Sequence, residues 1–194
     1  TRMQALRVRL YRDLINGALT ISERSTEDLL NEAKIITGLD NPKSNAQMLA
    51  WVQKQGVATD NLRKDTVADL LANEVLPMHV RLALELRAQY QKTSVTKFEK
   101  MAETIGAWDR CRGLLQFYGA NRTGRYAGRL VQVQNLPRNS MATLDEAREM
   151  VKNCDYIGIK ETYGNVPDTL SQLIRTAFIP SEGNKFIVSD FSAI

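Results

Sequence analysis

Apolar positions recur at helical spacing through roughly the first half of the chain and then give way to a β-like pattern. Met3, Leu6, Leu10 and Leu14 fall on one face of a 3.6-residue period and predict an amphipathic helix. Its outer face is rich in arginine and reads as a solvated surface. A second helix is expected from Ser25 and Thr26, with Glu27 and Asp28 in its first turn, where the helix dipole favours acids. It would pack Leu29, Leu30, Ala33 and Ile36 and stop at Gly38. After a turn over 40–43, Ser44 can cap a short helix carrying Leu49, Trp51 and Val52, closed by Gly56. Residues 56–65 are polar and lack periodicity, which predicts an exposed, mobile tip, followed by a short helix over 66–73. Pro77 opens a long helix toward Thr104, stopped by Gly106. Thr93, Ser94, Val95 and Thr96 weaken its middle and place a break near Ser94.

From Asp109 the period shortens. Residues 111–118 and 128–133 read as strands flanking a turn rich in glycine and arginine. Thr143, Leu144, Asp145 and Glu146 form a capping-box pattern opening a helix to about Lys152. Two more short helices are expected over 156–162 and from Pro167 toward Phe178. Phe186, Ile187 and Val188 then make a β-prone run, the pattern of a buried strand, which delivers Asp190. The fold expected is mainly α with a small antiparallel β element, an α+β chain with a helical region over 1–108 and a mixed region over 109–194.

Composition narrows the functional classes. Lys and Arg number 26 against 22 Asp and Glu, so a net charge of +4 permits a polyanionic partner without demonstrating one. No apolar run is long enough to cross a membrane. Cys111, Cys154 and His79 give neither a metal-ligand cluster nor a disulfide framework, and a reducing, cytosolic setting is the simplest expectation. Phosphate-loop and dinucleotide-binding glycine fingerprints are absent, and His79 has no nucleophile and acid around it. The first residue is Thr1 and the chain stops just after a core strand, so it reads as a piece of a larger protein.

Arginine is concentrated in one segment, at Arg110, Arg112, Arg122, Arg125, Arg129 and Arg138. Residues 121–137 combine three of these guanidinium groups, Arg122, Arg125 and Arg129, with Gly124, Gly128 and several amides. A guanidinium offers phosphate two charge-assisted hydrogen bonds at once, and glycine lets backbone approach a bulky ligand. Nucleic-acid contact is one reading of that pattern, and a solvated basic hairpin is the other. Phe117, Tyr118 and Tyr126 read as core or hairpin packing rather than platforms for bases. Asp190 follows a β-prone run, an arrangement that holds a metal ligand rigidly but also simply ends strands. A non-catalytic nucleic-acid-binding module and a helical interaction protein with merely solvated charges are the competing functional classes.

Four motifs in order resemble family A DNA polymerases of the bacteriophage and prophage type. They are Thr123-Gly124-Arg125, Gln134-Asn135-Leu136-Pro137, Ile174 through Ile179 with Arg175, Ala177 and Phe178, and Val188-Ser189-Asp190-Phe191-Ser192. The resemblance implies a helical thumb over 1–108, with its tip at 56–65, and the start of a palm over 109–194. Tyr126, Ala127 and Gly128 lengthen the usual junction after Arg125, and 139–166 is longer than in bacterial repair polymerases. It implies transfer of deoxynucleotides onto a primer 3′ end with two Mg2+ ions, Asp190 and the backbone carbonyl of Phe191 being ligands of the first metal site. Arg125 would reach the minor groove at the primer terminus, Arg122 and Thr123 would lie beside it, and Gln134 and Asn135 would border the template–primer path. Ser94, Lys97, Lys54, Arg63 and Lys64 would touch the duplex backbone. The expected partners are primer–template DNA and deoxynucleotides, in a bacterial cytosol and not at a membrane. The chain alone is expected to be inactive, and the strand edge over 185–194 offers a route to self-association.

Overall fold

The computed structural model describes residues 9–187. Most of them are helical, and two antiparallel pairs of short strands complete the architecture. Strand β1 (Arg9–Leu10) pairs with β4 (Phe178–Ile179), Arg9 opposite Ile179 and Leu10 opposite Phe178. Leu10 is thus a strand residue and not part of an N-terminal helix. Tyr11 remains extended, and its N–H donates to the Ala177 carbonyl at 2.8 Å, so the chain turns helical only at the next residue. Residues 1–8 lie outside the described part.

Helix α1 (Arg12–Thr37) is continuous where the sequence predicts two helices. Ser25 is only 2% exposed and sits in mid-helix, so it caps nothing. Asp28 has a tertiary role instead, accepting a 2.6 Å hydrogen bond from the Tyr156 hydroxyl. That bond draws the Asp28 pKa below its ordinary value, while burial, followed by the Asp28 bond, pushes the Tyr156 hydroxyl up. Leu14, Ile15, Ala18, Ile21 and Ala33 are buried along α1, whereas Leu29 and Leu30 are only half-buried. Gly38 ends the helix as expected, left-handed at φ 67° with its N–H on the Lys34 carbonyl.

Helix α2 (Asn45–Lys54) begins at a Ser44 cap whose hydroxyl accepts from the Gln47 amide at 3.4 Å. Helix α3 (Lys64–Ala72) starts earlier than its apolar pattern implies, because the Asn61 side chain accepts from Arg63 N at 3.0 Å and Thr66 Oγ1 at 2.8 Å. The stretch between α2 and α3, expected to be an open tip, is tied down. Val57 and Leu62 pack on a cluster of Met48, Val52, Val67, Leu76, Val80 and Leu84, and Gln53 donates to the Thr59 carbonyl at 2.8 Å. Helix α4 (Met78–Tyr90) and helix α5 (Thr96–Thr104) are separated by a 3₁₀ turn over Thr93–Val95, the break the sequence predicts. The Thr96 hydroxyl donates to the Thr93 carbonyl at 2.6 Å there.

The larger apolar cluster joins the first half of α1 to α5 and to three helices of the second half, α6 (Leu144–Lys152), α7 (Tyr156–Tyr163) and α8 (Val166–Leu173). Thr143 makes no side-chain cap on α6, because its hydroxyl is engaged with the Tyr163 hydroxyl at 3.0 Å. Asp155 and Asn165 are the side-chain caps, accepting from Gly158 N at 2.9 Å and Asp168 N at 3.0 Å. Lys185, Phe186 and Ile187 are in no regular element, and Phe186 and Ile187 are 46% and 87% exposed. This departs from the buried strand expected there. Among the described residues no strand runs beside them to take their backbone hydrogen bonds, and apolar sequence alone does not make a strand. Val188 and all that follows lie outside the described residues.

Candidate nucleic-acid interface

Strands β2 (Leu115–Ala120) and β3 (Arg125–Gly128) form an antiparallel hairpin, with Leu115 opposite Gly128, Gln116 opposite Ala127 and Ala120 opposite Arg125. The register shifts between Gln116 and Ala120, where Tyr118 takes a positive φ of 52°. That conformation is uncommon for a side chain other than glycine, asparagine or aspartate, and local strain of this kind concentrates at functional sites. At the turn, Thr123 N and Gly124 N both donate to the Ala120 carbonyl, at 3.0 and 2.9 Å. Arg122 and Thr123 occupy this turn and Arg125 opens β3, all three exposed. The second strand, expected over 128–133, instead ends at Gly128, because Leu130 and Gln132 turn the chain with φ of 56° and 53°.

The segment after the hairpin, 131–141, has no strand partner, and side chains from other elements satisfy its backbone. Lys97 of α5 donates to the Val131 carbonyl at 2.7 Å. Arg175 donates from Nε to the Pro137 carbonyl at 2.5 Å and from Nη2 to the Leu136 carbonyl at 2.9 Å. Gln172 accepts from Ser140 N at 2.7 Å and Met141 N at 3.0 Å. Arg175 therefore stitches the motif at 174–179 to the motif at 134–137. Its sequence context marked it, but its partners are main-chain carbonyls that no side-chain pattern announces. Gln134 lies against the base of the hairpin, where a Cβ at Gly128 would fall 2.0 Å from its amide. Asn135 Nδ2 donates to Gln132 Oε1 at 3.3 Å, and both Gln134 and Asn135 are exposed.

Two grooves hold others of the expected contact residues. The larger, about 770 Å³, brings together Lys64, Lys92, Ser94, Arg138 and Asp168. Lys92 is engaged with the Asp168 carboxylate, a contact that draws the Asp168 pKa down against the opposing effect of its partial burial. The Ser94 hydroxyl is buried with no hydrogen-bond partner among the described residues. The smaller groove, about 570 Å³, is lined by Arg63 and Lys64 with the start of α2. Between them lies Arg87, 2% exposed, whose guanidinium bonds the Asn45 side chain and, with the Gln91 amide turned to offer its oxygen, Gln91 at 2.9 and 3.0 Å. Lys54, in the last turn of α2, lines neither groove.

Charge is unevenly distributed. Residues 110–144 contain all six arginines named above and no Asp or Glu, whereas the whole chain is only +4, so the remainder is net acidic. Arg9 and Arg12, outside the segment, both pair with Asp109, at 3.5 and 2.7 Å, and the Arg12 bond leads in drawing its carboxyl below the ordinary range. Among the described residues Arg112, Arg122, Arg125, Arg129 and Arg138 have no carboxylate partner. Such a set of free, forked cations suits phosphate. Phe117, Tyr118 and Tyr126 are 73%, 58% and 63% exposed, so of the two expected placements, core or hairpin packing, the core is excluded and the rings pack against one another on the hairpin. No group of three His, Cys, Asp or Glu side chains among the described residues could hold a metal ion. Asp190 and Phe191, the expected metal ligands, lie outside those residues. No helix among the described residues is long and apolar enough to cross a membrane.

No protein-family model matches this chain, and no solved structure matches it. By sequence, it is 50% identical over 187 residues to a DNA polymerase of Bacillus phage SP02, an alignment covering 96% of this chain and 29% of that protein. The chain is homologous to a phage DNA polymerase and spans about 29% of that relative's length.

Proposed function

We infer that this chain is the part of a template-directed, family A DNA polymerase that grips primer–template DNA, with residues 1–108 as a helical thumb and 109–194 as the start of the palm. The observation that carries the inference is the 50% identity to the phage polymerase along nearly the whole chain. Its chemistry agrees with an arginine hairpin that has no acid between Arg110 and Leu144. Arg125 takes the minor-groove position at the primer terminus, with Arg122 and Thr123 beside it. Gln134 and Asn135 border the template, and Lys54, Arg63 and Lys64 lie along the duplex backbone, whereas Lys97 is tied to the Val131 carbonyl and the Ser94 hydroxyl is buried. Nucleotidyl transfer would belong to the complete polymerase, in which Asp190 and the Phe191 carbonyl would help hold Mg2+, and the ions would supply charge stabilisation for the attacking hydroxyl and the leaving group.

The test is fluorescence anisotropy of a labelled primer–template hairpin titrated with the chain over a series of salt concentrations. The affinity should fall steeply as salt rises, and Arg122→Gln should reduce the logarithmic salt slope by about one. Absence of binding at low salt, or binding indifferent to salt, would contradict the proposal.

A further inference from the structure

Three rings on the hairpin have no place in the duplex grip just described. Phe117 and Tyr118 on β2 and Tyr126 on β3 are all more than half exposed, an unusual state for three neighbouring aromatic side chains. They form a group of their own. Phe117 and Tyr126 meet edge to face with centroids 5.5 Å apart, and Phe117 and Tyr118 lie 6.3 Å apart. Packed edge to face and so widely exposed, Phe117 and Tyr126 keep ring surface free for a further planar group. Tyr118 is set in place by its positive φ and by Gly124 across the turn, where a Cβ would come within 2.9 Å of the Tyr118 ring.

We propose that Phe117 and Tyr126 form a stacking platform for unpaired bases, making the hairpin a binding site for single-stranded nucleic acid. Charge selects this occupant over a polypeptide. The rings share the hairpin with Arg122 and Arg125, Arg129 follows immediately, and no acid occurs between Arg110 and Leu144. Aromatic faces interleaved with cations are what a single strand requires: cations track the phosphates while rings take successive bases irrespective of sequence. A paired duplex keeps its base faces stacked on one another and offers these rings nothing comparable. The site rests on the nucleic-acid reading but asks more of it, since it demands exposed bases and not phosphates alone.

The experiment compares three labelled ligands: a 20-mer of deoxythymidine, an abasic strand of equal length, and a blunt duplex. Each is titrated with the wild-type chain and with the double variant Phe117→Ala/Tyr126→Ala, whose folding is checked by circular dichroism because both side chains are exposed. The wild type should bind the 20-mer about tenfold more tightly than the abasic strand. The double variant should lose that tenfold preference while its duplex affinity changes by less than about twofold. Equal binding of the 20-mer and the abasic strand by the wild type, or an undiminished preference in the variant, would overturn the platform even if the duplex binds. The rings would then be a cover for polypeptide. Failure of all three ligands to bind at low salt would overturn the platform and the nucleic-acid reading together.

Discussion

Lys97 donates a 2.7 Å hydrogen bond to the carbonyl oxygen of Val131, joining the helix that follows the Thr93–Val95 break to the segment that leaves the arginine hairpin. The family resemblance implies that Lys97 touches the duplex backbone, but here its ammonium is engaged with the main chain. Lys97→Met should therefore cost about 1 kcal/mol of stability and lower the melting temperature by about 2–4 °C. Thermal denaturation tests this. An unchanged melting temperature with a salt slope reduced by about one would assign Lys97 to phosphate instead.

Arg87 is held by two neutral amides, and among the described residues it has no carboxylate partner. Its packed stem and its charge can be separated by substitution. Arg87→Ala should destabilise the chain by about 2–4 kcal/mol through the space it leaves, and Arg87→Met should recover most of that loss by refilling it. Denaturant titrations of both variants decide the matter. A Met variant as unstable as the Ala variant would show that the guanidinium hydrogen bonds dominate.

Gly17 on α1 is buried directly against α6, where an added Cβ would fall 1.9 Å from the Val151 carbonyl oxygen. Backbone cannot yield as a flexible side chain can. Gly17→Ala gains about 1 kcal/mol of helix propensity but should lose more to the forced separation, for a net destabilisation of about 1–3 kcal/mol. Equilibrium unfolding should show it, and a stabilised variant would mean the two helices slide apart freely.

Asp168 links α8 to Lys92, just beyond α4, and has its pKa drawn below the ordinary 3.8 chiefly by the Lys92 hydrogen bond. A carboxylate depressed in the folded state contributes stability above its unfolded pKa and loses it as pH falls through the folded value. The melting temperature of Asp168→Asn should thus lie below wild type near neutral pH, and the gap should close as pH falls through the depressed folded value of Asp168. Melting curves across that range are the check, and a gap independent of pH would contradict the assigned ion pair.

The sequence announced those features that local chemistry determines. Gly38 closes α1, Ser44 caps α2, and the β-branched and hydroxyl residues around Ser94 interrupt the helix where their propensities say they should. Features set by distant partners were not legible. Ser25 looks like a cap yet is buried in mid-helix, and Leu10 reads as helical until Phe178 supplies a strand beside it. In the candidate site the arginine cluster and turn were visible as composition. The exposure of Phe117 and Tyr126 was not, because an aromatic in a strand pattern carries no label for which face is covered. Nor did anything show that Lys97, Gln172 and Arg175 would hold the backbone of 131–141, since the acceptors and donors there are main-chain groups that every residue has.

The most direct test of the grip on a primer terminus uses two primer–template hairpins that differ only in whether the terminal base pair is matched. Minor-groove acceptors occupy similar positions in every correct pair, so a guanidinium placed there senses pair geometry without reading sequence. Affinities of the wild type and of Arg125→Ala for both hairpins should show a wild-type preference for the matched terminus that the variant loses. If Arg125→Ala binds both hairpins as the wild type does, Arg125 is not at the primer terminus and the placement of this hairpin on DNA is wrong.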